Sequence, residues 1–215
     1  MNFTAGSRSS AYRGGGVCAF SFRLAFGVLL FLPLFASADK PKPRLVPLSP
    51  VELQALQSKL DPRFLPEGNR NLEVDQKQSF RLMQEGQPVL DLVPVRFDTP
   101  IPDTTGAREN CGVYVLSSNV PGKFFWTLGS DTDLPFNCFH LVAVGLQPFE
   151  NDKPAIILLY STEDPGLHEP IRWPYVLSWD DHSKTYVITD AWARDTGLDP
   201  KTTIRDVQRL LERKR

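Results

Sequence analysis

Methionine, histidine and cysteine are scarce in this sequence: two, three and three among 215 residues. The histidines, His140, His168 and His182, stand alone, and none forms a His-x3-His or Glu-x-x-His spacing, so the usual zinc sets are missing. The acidic pairs Asp131-x-Asp133 and Asp180-Asp181 lack the further oxygens and the glycine that a calcium loop needs. No metal or cofactor is expected. There is no Gly-Lys-Ser/Thr phosphate loop, no dinucleotide fingerprint and no Gly-x-Ser-x-Gly elbow. Neither sign of charge dominates, with 24 basic against 25 acidic residues. Without a basic block there is no electrostatic reason to expect nucleic acid or adsorption to anionic lipid.

Acidic residues are absent before Asp39, while Arg8, Arg13 and Arg23 precede an apolar run over residues 24–38 that ends Ala36-Ser37-Ala38. A positive start, a short apolar stretch and an A-x-A end predict a secretory signal peptide over 1–38. The run is short for a bilayer span and is broken by Pro33, so no stable membrane insertion is expected after cleavage. Export predicts a bacterial periplasmic or extracellular location. Residues 39–48 alternate proline with cations and read as an extended Pro/Lys-rich spacer. Residues 49–215 are of a length for one domain.

Cys111 and Cys138 are the cysteines left after processing, and in an exported chain they are expected to pair. Closing that loop is worth roughly 3–4 kcal/mol in the chain-entropy model. Around them run short apolar segments split by turn residues: 113–116, 124–128, 139–146, 155–160, 173–179 and 185–191. The run Ala155–Tyr160 has no polar alternation and predicts a central strand buried on both faces. Trp173 to Ala191 predicts a hairpin around Asp180–Lys184. If Trp179 faces Thr185, then Trp173, Tyr175, Leu177, Trp179, Val187 and Thr189 share a face. Pro94 demotes the apolar run 88–97 to an edge or bulged strand. Residues 61–72 and 98–110 read as loops. Ser49 with Glu52, and Thr203 with Asp206, predict N-caps for two short amphipathic helices. Their apolar stripes are Leu53, Leu56, Leu60 and Ile204, Val207, Leu210, Leu211. The order of elements predicts an α+β fold: a mainly antiparallel β-sheet of about six to eight strands, flanked by an N-terminal and a C-terminal amphipathic helix.

Asn110-Cys111-Gly112-Val113-Tyr114-Val115-Leu116 resembles the nucleophile segment of the Ulp-type cysteine peptidases. There a Cys-Gly pair opens a helix and the catalytic histidine precedes it. Here every histidine follows Cys111 and the residues after it read as strand, so Cys111 is taken as a half-disulfide with no catalytic residue assigned. The aromatics Trp173, Tyr175 and Trp179, with Phe125 from Phe124-Phe125-Trp126, are the candidates for a face that meets a ligand or partner. A place in the core is the reading favoured for them, because aromatics supply much of a small domain's burial. The function expected is that of an exported binding protein of the periplasm or envelope, one that blocks or neutralises another protein or holds an envelope component. A hydrolase using Cys111 or a loop carboxylate such as Asp131 or Asp181, and a structural envelope component, are the alternatives.

Overall fold

The computed structural model describes residues 41–58, 60, 70–101, 103–117, 122–128, 137–148, 153–163, 170–189 and 199–213. The expected leader lies outside these, as do His168, Asp131 and Asp133. By its internal contacts the chain divides into Met1–Ala38 and Asp39–Arg215, and every described residue belongs to the second unit.

The protein is mostly antiparallel β-sheet. Ten strands are described: β1 Arg44–Pro47, β2 Arg70–Val74, β3 Phe80–Gln84, β4 Gln87–Pro100, β5 Ala107–Leu116, β6 Lys123–Leu128, β7 Asn137–Gln147, β8 Ala155–Glu163, β9 Ile171–Asp180 and β10 Thr185–Thr189. The one sheet expected is two. The first runs β1-β3-β4-β5-β6, with β2 also paired to β4, and the second runs β10-β9-β8-β7. Helices are few among the described residues: α1, Pro50–Gln57, and α2, Ile204–Arg213, with one 3-10 turn at Gln76–Gln78.

The two sheets face each other across the main core. Leu82, Leu90, Leu92, Val113 and Val115 from the first meet Ile156, Leu158, Trp173, Tyr175 and Leu177 from the second. β7 packs against the first sheet, touching β5 most and β1 and β4 as well. Its Cys138 bonds Cys111 of β5. The carbonyl of Phe139 accepts from Arg96 Nη1 of β4 at 3.1 Å. That of Val142 accepts from Gln78 Nε2, just before β3, at 3.3 Å. The ladder between β7 and β8 slips between Cys138 and His140 and again between Leu141 and Ala143. Phe139 and Val142 are therefore the extra residues of two bulges. A bulge leaves a backbone carbonyl without its ladder partner and bends the strand. Arg96 of β4 and Gln78 of the 3-10 turn before β3 take these two carbonyls.

The outer faces carry smaller clusters. Leu53 and Leu56 of α1, with Leu48 and Leu60, pack with Val93, Val95, Phe97 and Tyr114. The Ser49–Glu52 capping box is formed, Ser49 N–H donating to Glu52 Oε2 at 2.9 Å. Yet α1 spans only two turns, Leu60 lies beyond its end, and Val51 is 76% exposed. On the other side Val207 and Leu211 of α2 pack with Ala155, Ile157 and Val176. Thr203 and Asp206 cap that helix as expected, with Thr203 N–H donating to Asp206 Oδ2 at 2.9 Å.

Several expectations need correcting. Residues 44–47 of the expected spacer form β1, paired to β3 from Arg44↔Met83 to Pro47↔Phe80. Polyproline and β backbones lie close together in dihedral space, and an edge position tolerates prolines. β4 is central, not an edge. Pro94 pairs with Val113 on one side, while on the other its carbonyl accepts from Asp75 N–H at 2.9 Å. That is where β3, whose ladder ends at Leu92, gives way to β2, whose ladder begins at Val95. The missing proline N–H thus falls in the gap between two neighbours, where no ladder bond is lost. The loop expected over 98–110 is mostly strand: Asp98↔Glu109 and Thr99↔Arg108 continue the β4–β5 pairing. Asn110 Nδ2 donates to Thr99 Oγ1 at 2.6 Å across it. Polar residues on an extended ribbon read as loop in the sequence.

The β9–β10 register differs by one residue from the expected one. Trp179 stands opposite Tyr186, and Asp180 opposite Thr185. Asp180 sets this by accepting from the amides of His182 and Ser183, which folds the turn tightly after it. Tyr186 and Ile188 therefore join the inner face in place of Val187 and Thr189. The uninterrupted run Ala155–Tyr160 is a central strand buried throughout, as its lack of alternation predicts.

Candidate functional site

The Cys111–Cys138 disulfide joins β5 to β7 with the Cα atoms 5.7 Å apart, and both residues are buried. Gly112 serves packing here. A Cβ on it would lie 2.2 Å from the Phe124 ring and 2.9 Å from the Phe125 carbonyl oxygen. The Cys-Gly pair that resembles a peptidase nucleophile is thus a half-disulfide followed by the seat of an aromatic ring. His140, two residues after Cys138, is turned outward by the bulge, standing opposite Ser161 and exposed. His182 is exposed in the β9–β10 turn.

The aromatic candidates separate. Trp173 and Tyr175 are only 3% and 4% exposed and belong to the core between the sheets. The Tyr175 hydroxyl donates to the Thr127 carbonyl of β6, tying one sheet to the other. A flat three-ring platform is therefore not formed. Trp179 is half-buried and Phe125 buried, and both line an open cleft of about 300 Å³.

Strand order explains where the cleft lies. The β3–β4 turn, the end of β5 and the start of β6 come together at one end of the first sheet: Gln84 pairs with Gln87, and Val115 with Lys123. Glu85 and Gly86 make that turn with φ of 50° and 79°, the doubly positive backbone of a two-residue hairpin. Opposite it lie Lys153, two residues before β8, and the β9–β10 turn of the second sheet. The cleft opens between these two sets.

Its apolar wall is Val89, Leu90, Val115, Phe125, Trp179 and Tyr186. The Trp179 and Tyr186 rings meet edge to face, centroids 5.5 Å apart. Tyr186 donates its hydroxyl to the Pro154 carbonyl at 3.3 Å, and burial pushes that phenol up to about 12, so it is neutral. Three lysines surround the wall. Lys153 Nζ stands 3.3 Å from the centre of the Trp179 ring and Lys123 Nζ 4.6 Å from that of Phe125. Lys184 Nζ lies 3.7 Å from Asp181, whose Oδ1 also accepts from the Trp179 indole N–H at 3.0 Å. Lys123 and Lys153 make no ion pair with any described residue.

None of the three lysines was singled out from the sequence, since residues 123, 153 and 184 are brought together only by the topology. A local signal existed for one of them: Lys123 precedes Phe125 by two residues on β6, so the two share a face.

A second hollow, of about 290 Å³, is lined by Glu73, Arg96, Asp98 and Glu109 among others. Within it Arg96 Nη2 bonds Glu73 Oε2 at 2.7 Å, and Asn71 Nδ2 donates to Asp98 Oδ2 at 2.7 Å. Among the described residues, no three His, Cys, Asp or Glu side chains gather to hold a metal, and no helix is long and apolar enough to cross a membrane. Comparison of the chain with protein-family models, with curated proteins and with solved structures finds no match.

Proposed function

We propose that this chain is an exported binding protein of the bacterial periplasm or the cell exterior, and that it holds an envelope component in the cleft between its two sheets. The observation that carries the reading is the cleft itself. An open concavity with an apolar wall and a few convergent polar groups is the usual form of a ligand site, and 300 Å³ falls at the small end of that class. A narrow ligand suits it better than a broad protein face, which would bury on the order of 800 Å² per partner.

Export rests on the leader over residues 1–38 and is supported by the disulfide, a bond that persists in oxidising compartments. Binding is favoured over a thiol hydrolase because the Cys111 sulfur is taken up by Cys138. Asp181, the described candidate among the loop carboxylates, is engaged by Lys184 and the Trp179 indole.

The test passes a solvent extract of bacterial envelopes over immobilised chain and over a Ser117→Trp variant, in which the indole fills the cleft. Mass spectrometry of the eluates should find a component retained by the first and lost by the second. Equal retention by both would refute the cleft as the binding surface. Sequencing the exported protein should find Asp39 as the new N-terminus, and an intact leader would refute processing.

A further inference from the structure

The cleft is unusual in how its cations are held. An ammonium group over an aromatic face gains from the ring quadrupole while keeping its full charge. Lys153 over Trp179 and Lys123 over Phe125 are both in this state, and neither has a carboxylate partner among the described residues. Lys184 adds a third cation, with two acids of its own turn beside it: Asp181 at 3.7 Å, and Asp180, whose charged form it also favours. The apolar wall carries no acid, its one ionisable group, Tyr186, being neutral. Among the described residues the mouth therefore sets Lys123, Lys153 and Lys184 against Asp180 and Asp181, a net positive charge above a hydrophobic wall.

A ligand that answers both features needs an apolar body and one anionic head. We infer that the cleft binds an amphiphilic carboxylate, a medium-length alkyl or aryl acid whose tail lies along Val89, Leu90, Val115 and Tyr186 while its carboxylate meets Lys123 and Lys153. This rests on the cleft being the binding surface proposed above, and adds the ligand's chemistry to it. The lysines act as point charges without the forked geometry that selects planar groups, so the selectivity is for charge sign joined to an apolar tail. Two aromatic rings hold the ammonium groups in position before the ligand arrives, which lowers the ordering cost of binding.

Calorimetry on the full chain tests this with three ligands of equal tail: decanoate, 1-decanol and decyltrimethylammonium. Decanoate should bind about tenfold or more tighter than decanol, and the cationic amphiphile weakest of all. Lys123→Met and Lys153→Met keep much of the side-chain volume at an exposed and a half-buried position, and a native near-UV circular dichroism spectrum checks that each variant folds. Each should weaken decanoate about tenfold and leave decanol unchanged. The apolar leader is common to every variant and cancels from these ratios. Decanoate and decanol binding equally, with neither lysine variant mattering but Ser117→Trp abolishing both, would overturn the carboxylate assignment while leaving the cleft as the site. Binding that survives Ser117→Trp, in a variant whose near-UV circular dichroism is native, would overturn the cleft itself. An acidic peptide that binds through Lys123 and Lys153 while decanoate does not would also overturn the assignment, in favour of a protein partner.

Discussion

The two ends of the sandwich are built in opposite ways. At one end the sheets are fastened: Cys111 is bonded to Cys138, and Arg96 reaches the Phe139 carbonyl. At the other end the same strands part around a cleft edged by Lys123, Lys153 and Lys184. β9 runs through both, with Trp173 sealed in the core and Trp179 half open six residues on. Identical side chains on one face of one strand thus do different work. A cross-link that fixes the sheets at one end leaves the other free to keep apolar surface in reach of a ligand.

The sharpest way to break this comparison is the same substitution at its two poles. Trp173→Ala empties a packed site and should cost about 3–5 kcal/mol in urea denaturation. If it costs less than 1 kcal/mol, the fastened end is not the structural one. Next in size is the disulfide. Cys111→Ala with Cys138→Ala should lose roughly 3–4 kcal/mol, read as a lower urea midpoint, and a midpoint that does not move would separate the bond from stability. Trp179→Ala gives up an edge contact to Tyr186 and the Lys153 ammonium, and should cost only about 1–2 kcal/mol while removing ligand binding. A large loss of stability with binding intact would invert the assignment of the two ends.

The smallest effect concerns α1, which lies outside the comparison and so serves as its control. Glu52 is held down to about 2 from an ordinary 4.5, first by the Ser49 hydroxyl, then by the Ser49 amide and Arg81. A carboxyl whose pKa is depressed on folding lends stability in full above pH 4.5. That contribution fades as pH falls toward 2. Acid titration followed by denaturation should show this loss, and Glu52→Gln should flatten it without changing the cleft. An unchanged acid profile in that variant would contradict the capping role.

Much of the sheet was legible in the residues. The unbroken apolar run at Ala155, the aromatic alternation from Trp173 and the lone cysteine pair each carry a short-range signal. What stayed hidden depends on partners far along the chain. Pro94 looked like a strand breaker because the sequence does not say that two neighbours meet opposite it. The β9–β10 register turned on whether the turn begins at Asp180 or after it, a difference of one residue that exchanges Val187 for Tyr186 on the inner face. Division into two sheets depends on β7 pairing with β8 and not with β6, a choice its composition does not announce. Phe125 and Trp179 were legible as candidates, and Lys123 shares the strand face of Phe125, but Lys153 stayed hidden because it reaches Trp179 only through the β8–β9 pairing.

The most direct measurement is a two-dimensional NMR titration of the full chain with decanoate. Shifts should concentrate on the Trp179 indole N–H and on the amides of Ser117, Thr185 and Tyr186, with the Trp173 indole and the Cys111 and Cys138 amides unmoved. Shifts centred on Trp173 and the disulfide, with Trp179 silent, would contradict the account of an open binding end and a fastened one.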